Sequence, residues 1–260
     1  MLMNESPRPI RLRPTVGERI GTTAFFRNRS LYETIFHLLL EKKQSEYRIL
    51  FHASSICAEA YSFIIDYLVR GHAENFTLKC DVTDIEGDFL KFANQGVYPV
   101  TITDGMKVAE KKFFSQQGGD VVISNAVKAH IDFLPASSFT EFSSNSVYDV
   151  VFILNAFVYV PEGKQSNTID KISTYNSDIL VTSAFHKKII KSDLQRNGYS
   201  PVLDNMKPIY NSWLDRRVNT SGFEARNGIY ADWSLPEYQE IDDFEFLNCA
   251  IFQKKVKQSL

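Results

Sequence analysis

Polar side chains stand at the ends of two predicted strands, where they could bind a nucleoside. Asp84 follows the strand Phe76–Val82, and Asn155 follows the apolar strand Val147–Leu154. The carboxyl ends of parallel strands meet at one edge of an open α/β sheet, and that edge is where the fold binds its ligands. A carboxylate about 20–30 residues beyond the first strand-to-helix turn can accept hydrogen bonds from both ribose hydroxyls. This spacing makes Asp84 the candidate ribose ligand.

Each of these residues has an alternative role. Asp81 and Glu86 are rivals of Asp84 for the ribose, and aspartate is also a residue type that caps helices. Asn155 is typical of a turn that ends a strand, although its amide could also hydrogen-bond a cofactor or an acceptor. Glu59 opens the helix after the first strand. There it could offset the helix dipole, accept hydrogen bonds from an ammonium group, or do both.

The first strand-to-helix turn, Ala53–Cys57, contains no glycine. Nucleotide-binding turns usually need glycine here, because the ligand approaches the backbone closely. Ala53 and the two serines after it are small enough to permit that approach, so Ala53 is a candidate cofactor contact. An ordinary tight connection between strand and helix is the alternative interpretation.

Composition narrows the class of protein. The chain has 260 residues, a hydrophobic fraction of 44% and a formal net charge of -2, which gives no argument for a nucleic-acid partner. Three scattered cysteines support neither a disulfide framework nor a metal site. No signal peptide and no apolar run of membrane-spanning length is found, so we expect a cytoplasmic protein without a membrane span.

Strands and helices alternate along the chain, which predicts βαβ units and a mostly parallel sheet. The predicted strands are Tyr47–His52, Phe76–Val82, His130–Phe133, Val147–Leu154, Ile179–Thr182, Gly198–Leu203 and Phe244–Gln253. The predicted helices are Leu31–Lys43, Ala58–Val69, Asp88–Asn94, Lys164–Tyr175 and Met206–Arg217. We expect an N-terminal arm over 1–20 and one domain over 21–260. That domain would contain an insertion near 97–128 and a C-terminal elaboration at 204–243.

Five segments, in order and in register, resemble the chemoreceptor glutamate methyltransferase family of the CheR type. The family patterns are Thr-x-Phe-Phe-Arg, Glu-Pro-Tyr-Ser, Asp-Ile-Asp followed by Gly-Ile-Tyr, a short strand before Asn-Leu, and a strand ending in Cys-Arg-Asn before Ile-Tyr-Phe. The similar segments here are Thr23–Arg27, Glu59–Ser62, Asp84–Glu86 with Gly96–Tyr98, Ile131–Pro135, and Tyr148–Asn155 with Val158–Val160. The resemblance covers roughly residues 20 to 185.

The resemblance implies a class I methyltransferase with a Rossmann-like, mostly parallel seven-stranded sheet and helices on both faces. Its cofactor would be S-adenosylmethionine (SAM), whose methyl group is already activated, so no metal or nucleophilic triad is needed. The implied SAM contacts are Thr23, Arg27, Glu59, Asp84, Ser137, Ser138 and Asn155. Arg27 and Tyr159 would also lie near the transferred methyl group as catalytic residues.

Several departures from the family pattern affect the predicted acceptor. The family's glycines in the first turn are Ala53 and Cys57 here, its Asn-Leu is Ser137-Ser138, and the arginine before Asn155 is Leu154. The family's N-terminal helical domain and its small receptor-docking β-subdomain are not evident, so receptor methylation is not expected.

We therefore predict O-methyl transfer to a small molecule or glycan. Trp213, Arg216 and Arg217 are candidate substrate contacts, unless they form a solvated basic helix face. A protein carboxyl methyltransferase and a non-catalytic binding module are the alternatives. His186 and Asp204 are available as general bases but are not favoured, since a carboxylate acceptor needs none.

Overall fold

The structure is a computed structural model that describes residues 11–12, 15–16, 19–20, 23–157, 160–183, 187–218 and 243–255. Side chains are not described for 11–20, 162, 187–190 and 214–218. The chain divides into two compact units, one of 1–27 with 36–139 and one of 28–35 with 140–260.

The described part of the first unit contains three parallel strands of the main sheet and three smaller antiparallel sheets. Its strands are β1 (Arg11–Leu12), β2 (Thr15–Val16), β3 (Arg19–Ile20), β4 (Thr23–Ala24), β5 (Glu46–His52), β6 (Thr77–Val82), β7 (Val97–Pro99), β8 (Phe114–Gln117), β9 (Asp120–Ile123) and β10 (Ile131–Phe133). Helix α1 (Arg29–Lys42) is shared between the two units. The other helices of the first unit are α2 (Ala58–Val69), α3 (Gly87–Gln95), α4 (Val108–Lys111) and α5 (Asn125–Lys128). Two 3₁₀ turns occupy His72–Glu74 and Val100–Gly105.

Strand order in the first unit is β10–β6–β5, and both pairings are parallel. Phe51 of β5 pairs with Val82 of β6, so Ala53 and Asp84 each stand two residues beyond the same pair. The two predicted cofactor positions are therefore neighbours at the carboxyl ends of adjacent strands. Helix α2 follows β5 with most of its residues buried and ends at Val69, two residues before the left-handed Gly71, as predicted.

A small antiparallel sheet occupies the predicted insertion. Strands β7, β9 and β8 pair in that order, and a two-residue turn at Gly118-Gly119 joins β8 to β9. A small β-subdomain was not evident from the sequence, whereas the structure has a three-stranded sheet in this segment. Strand β8 is largely polar and exposed, so its sequence carries no alternation that would have predicted it. In the predicted arm over 1–20, β1 pairs with β4, which lies beyond the arm, and β2 pairs with β3.

The second unit contributes the other four strands of the seven-stranded main sheet. These are β11 (Tyr148–Ile153), β12 (Asn176–Thr182), β13 (Tyr199–Pro201) and β14 (Ile251–Lys254), in the order β11–β12–β14–β13. The β11–β12 pairing is parallel, and β14 pairs antiparallel with both neighbours. The helices are α6 (Glu162–Tyr175), α7 (Lys187–Arg196), α8 (Met206–Val218) and α9 (Phe244–Asn248). The predicted fold class, an α/β protein with a mostly parallel seven-stranded sheet, is confirmed.

One predicted strand is partly wrong. Residues 244–248 form helix α9, and only Ile251–Lys254 form the closing strand. The alternation of Phe244 and Phe246 with polar residues indicated a strand, but five residues are too few to separate a period of two from a helical turn. Phe246 instead stacks on Phe252, with ring centroids 5.9 Å apart.

Within the described ranges, no helix has both the length and the apolar character needed to cross a bilayer.

Candidate functional site

The turn that joins β5 to α2 has an unusual backbone. Ala53, Ser55 and Cys57 have φ values of 49°, 49° and 58°, all in the left-handed region. A residue with a Cβ atom adopts this region at a cost of about 1–2 kcal/mol. Ala53 and Cys57 are the positions where the sequence resemblance implies glycine in the similar family. The turn thus has the backbone conformation that glycine favours, without the glycine.

Asp84 holds this turn from the end of β6. Its Oδ2 accepts a hydrogen bond from the Ser55 N–H at 2.7 Å, and its Oδ1 accepts one from the Glu86 N–H at 2.9 Å. The residue is 6% exposed. Burial raises the pKa of Asp84, while the backbone donors Glu86 and Ser55 act in the opposite direction. A carboxylate has about four lone-pair sites, so with backbone donors at Ser55, Ile85 and Glu86 Asp84 keeps capacity for a ligand hydroxyl.

The segment Thr23–Arg27 is bound to the start of α2 through Glu59. The Thr23 hydroxyl donates to one carboxylate oxygen of Glu59, and Arg27 Nη1 lies 3.2 Å from the other. The Phe26 N–H donates to Ser62 Oγ at 2.7 Å. Two motifs that are about 35 residues apart in the sequence are thereby brought together. Ser62, which accepts this hydrogen bond, has no role predicted from the sequence.

The predicted contacts Ser137 and Ser138 lie beside the end of β6. The Ser137 N–H donates to the Asp84 carbonyl at 2.9 Å, and Thr83 Oγ1 donates to the Pro135 carbonyl at 2.9 Å. The first unit therefore brings together Thr23, Arg27, Ala53, Glu59, Asp84 and Ser137–Ser138 around the ends of β5 and β6.

Asn155 belongs to the second unit, two residues after β11. It has a left-handed φ of 57°, and its N–H donates to Ser183 Oγ at 3.0 Å. Ser183 directly follows β12 and is buried. The sequence analysis missed Ser183, although its place after a predicted strand was a signal that could have identified it.

The remaining predicted residues are described only in part. Tyr159 and His186 lie outside the described residues, and the side chains of Arg216 and Arg217 on α8 are not described. Trp213 is 4% exposed, so little of its ring is available to a ligand. The catalytic role of Tyr159 and the substrate roles of Trp213, Arg216 and Arg217 stay predictions.

The residues of the first unit fit the adenosyl and methionine groups of SAM. Asp84 is a buried carboxylate with free lone pairs, as a ribose ligand requires. Ser55 Oγ is buried and has no hydrogen-bond partner within the described part of the chain. A buried hydroxyl of this kind costs free energy unless a ligand or water satisfies it. A polar ligand at this turn would satisfy it.

Comparison with known proteins identifies the family. Residues 21–178, more than half of the chain, match the family model "CheR methyltransferase, SAM binding domain". A chemotaxis protein methyltransferase of Borreliella burgdorferi is 25% identical over 156 residues, which are 58% of this chain and 55% of the relative. The chain thus spans about half the length of that curated relative.

Solved methyltransferase structures overlap more loosely. Magnesium protoporphyrin IX methyltransferase from Synechocystis PCC 6803 with bound SAM is 13% identical, with a TM-score of 0.42 over 66% of this chain and 69% of that one. N-methyltransferase NodS from Bradyrhizobium japonicum WM9, in complex with S-adenosyl-L-homocysteine (SAH), is 14% identical, with a TM-score of 0.42 over 68% and 78% of the two chains. Overlaps at this level carry no argument about the site. By the family match, the chain belongs to the CheR methyltransferases and contains their SAM-binding domain, which confirms the predicted resemblance, the methyltransferase class and the cofactor SAM.

Proposed function

We propose that the protein transfers the methyl group of SAM to a carboxylate oxygen, with protein side-chain carboxylates as the acceptor. The observation that carries the SAM part is the buried Asp84 carboxylate, which accepts one hydrogen bond from the first turn, at Ser55, and one from the Glu86 N–H. In this proposal Asp84 holds the ribose, while Thr23 and Glu59 hold the methionine ammonium. Arg27, bound to Glu59, would orient the reacting groups.

Two observations favour a protein acceptor over a small molecule or glycan. The small antiparallel sheet β7–β9–β8 removes one of the reasons to exclude receptor-like substrates. The matched relative is itself a chemotaxis protein methyltransferase. Small-molecule or glycan O-methylation is the second candidate, because the predicted contacts Arg216 and Arg217 would suit an anionic acceptor.

The chemistry of a carboxylate acceptor suits the residues present. SAM, when bound, supplies a methyl group on a positively charged sulfur, so its transfer is a single displacement. A carboxylate is already ionised near neutral pH, so no side chain has to remove a proton. The chain has to bind both partners, align them and exclude water. In this proposal, the contacts of Thr23 and Arg27 with Glu59 fix one side of the site and so help to align the two partners.

Calorimetry with SAH tests the cofactor assignment. Asp84→Ala should weaken SAH binding at least about tenfold, roughly 1.4 kcal/mol, because the ribose loses its carboxylate. Asp84→Asn keeps one acceptor oxygen for the turn, so its SAH affinity should lie between that of Asp84→Ala and that of the wild type. Asp88→Ala is the matched control, since Asp88 pairs with Lys91 on the exposed face of α3. Unchanged affinity in Asp84→Ala would reject the ribose assignment.

Radiolabelled SAM tests the acceptor. Carboxyl methyl esters release methanol in alkali, whereas methyl ethers and N-methyl groups do not. Label that precipitates with protein and is released by alkali would support the proposal. Label in the small-molecule fraction, or label stable to alkali, would favour the second candidate. A wild-type protein that does not bind SAH at millimolar concentration would favour a non-catalytic module.

A further inference from the structure

The third family-like segment consists of Asp84–Glu86 and Gly96–Tyr98. Asp84 has a role in the candidate site, whereas Gly96–Tyr98 has been given none, although Tyr98 contacts the first turn. Tyr98 is the middle residue of β7 and is 1% exposed. Its hydroxyl donates to the Ile56 carbonyl at 2.6 Å. Ile56 lies between Ser55 and Cys57, two of the residues with left-handed φ values. A residue of the small sheet is therefore hydrogen-bonded to the middle of the first turn.

We propose that Tyr98 is a positioning residue for SAM: its hydroxyl holds the glycine-free turn Ala53–Cys57 in the left-handed conformation that cofactor binding requires. This inference rests on the proposed function, because it assumes that SAM binds at this turn. Tyr98 would act through the backbone of the turn and need not touch the cofactor.

The orientation of Tyr98 is fixed by three other aromatic rings, those of Phe25, Tyr61 and Phe92. Their ring centroids lie 4.9, 6.2 and 5.6 Å from that of Tyr98, and each pair meets edge to face. Packing against these three rings restricts the movement of the Tyr98 ring. Because the ring is held, the Tyr98 hydroxyl keeps the position from which it donates a hydrogen bond to the Ile56 carbonyl.

The protonation state of Tyr98 suits this role. Burial raises the pKa of Tyr98 well above its usual value of 10, and the nearby Tyr61 and Cys57 add to the increase. The phenol therefore remains protonated across the physiological pH range and remains a donor. Phenylalanine at this position would fill the same space but leave the Ile56 carbonyl without this donor.

The turn needs external contacts because its residues do not favour its conformation. The Ser54 N–H donates to the Thr83 carbonyl at 3.1 Å, and the Ser55 N–H donates to Asp84. Both contacts come from the end of β6 and reach the first half of the turn. The Tyr98 hydroxyl reaches the second half, next to Cys57. Loss of this contact should therefore loosen the part of the turn that leads into α2.

The matched pair Tyr98→Phe and Tyr61→Phe tests the inference. The Tyr61 hydroxyl also donates to a backbone carbonyl, but to that of Ala93 at 2.8 Å and not to a carbonyl of the turn. Tyr98→Phe should raise the Kd for SAH about tenfold and accelerate hydrogen–deuterium exchange over 53–57. Tyr61→Phe should leave both quantities close to wild type, although each variant loses one buried hydroxyl contact and some thermal stability.

A second substitution distinguishes positioning from a general loss of stability. Glycine adopts the left-handed region without a Cβ penalty. Cys57→Gly added to Tyr98→Phe should therefore restore most of the lost SAH affinity, even if the melting temperature is not restored. Equal loss of affinity in Tyr61→Phe, or no rescue by Cys57→Gly, would overturn the inference.

Failure of the proposed function gives a different result. If the wild-type protein does not bind SAH, the proposed function and the cofactor role of Tyr98 are both overturned. Hydrogen–deuterium exchange needs no ligand, so it decides separately whether Tyr98 holds the turn. Unchanged exchange over 53–57 in Tyr98→Phe would overturn that part of the inference, whatever the SAH result.

Discussion

The β8–β9 hairpin tip and the turn after β5 both contain left-handed residues, and they obtain this conformation in different ways. At the tip of the β8–β9 hairpin, Gly118 has a φ of 62°. It is exposed, and a Cβ atom placed on it would meet nothing within 4 Å. Glycine is needed there only for its conformation, as a two-residue hairpin turn requires. In the turn after β5, Ala53, Ser55 and Cys57 adopt left-handed conformations with side chains present.

The difference shows that a backbone conformation can be set by contacts as well as by residue type. The hairpin tip has few contacts, so only glycine provides its conformation cheaply. The first turn is held by Asp84 and Tyr98, so residues with side chains are tolerated. A first turn without glycine is therefore not an argument against a cofactor site.

The largest expected effect is a pH dependence beside the first turn. Burial lowers the pKa of His52, the last residue of β5, from 6.5 to about 3. Between these pH values the unfolded chain binds one proton more than the folded protein. The free energy of unfolding should therefore fall by about 1.4 kcal/mol per pH unit as the pH decreases from the unfolded pKa toward the folded one. His52→Asn should remove this part of the slope in urea titrations at several pH values.

His37→Asn is the control for this measurement, because His37 lies on the exposed face of α1 beside Glu41. It should leave the slope unchanged. Equal slopes in the wild type and in His52→Asn would contradict the burial of a neutral imidazole next to the first turn.

A smaller effect is expected when glycine is replaced at the hairpin tip. Gly118→Ala should destabilise the protein by about 1–2 kcal/mol, because alanine adopts the left-handed region only with strain. Gly119→Ala is a matched control: it also has nothing within 4 Å of the added Cβ atom, and its φ is not in the left-handed region. Thermal melting should separate the two variants. If they lose the same stability, conformation alone does not explain Gly118.

The smallest effect is expected when glycine is introduced into the first turn. Ala53→Gly should relieve left-handed strain but gain unfolded-state entropy, so the net stabilisation should be about 0.5 kcal/mol. Ala60→Gly, inside α2, should have the opposite sign, with a loss of about 1 kcal/mol. Urea titrations of both variants compare the two positions. If Ala53→Gly destabilises as much as Ala60→Gly, the strain assigned to the first turn is absent.

The main sheet could be predicted because its central strands are nearly continuous apolar runs, as in Val150–Ile153. The small sheet could not, because β8 is recognisable only from its pairing with β9. The family motifs predicted Asp84 and Glu59 as candidate cofactor contacts. They did not reveal the left-handed turn, because its partners Asp84 and Tyr98 lie 29 and 42 residues further along the chain. No local pattern records such contacts.

The pairing of β1 with β4 has a practical consequence for shortened versions of the protein. Thr23, which donates to Glu59, lies on β4, and Leu12 is its partner in the pairing. Trimming the chain at residue 20, where the sequence suggests a dispensable arm, would remove the strand that supports Thr23. A minimal domain should therefore start before Arg11.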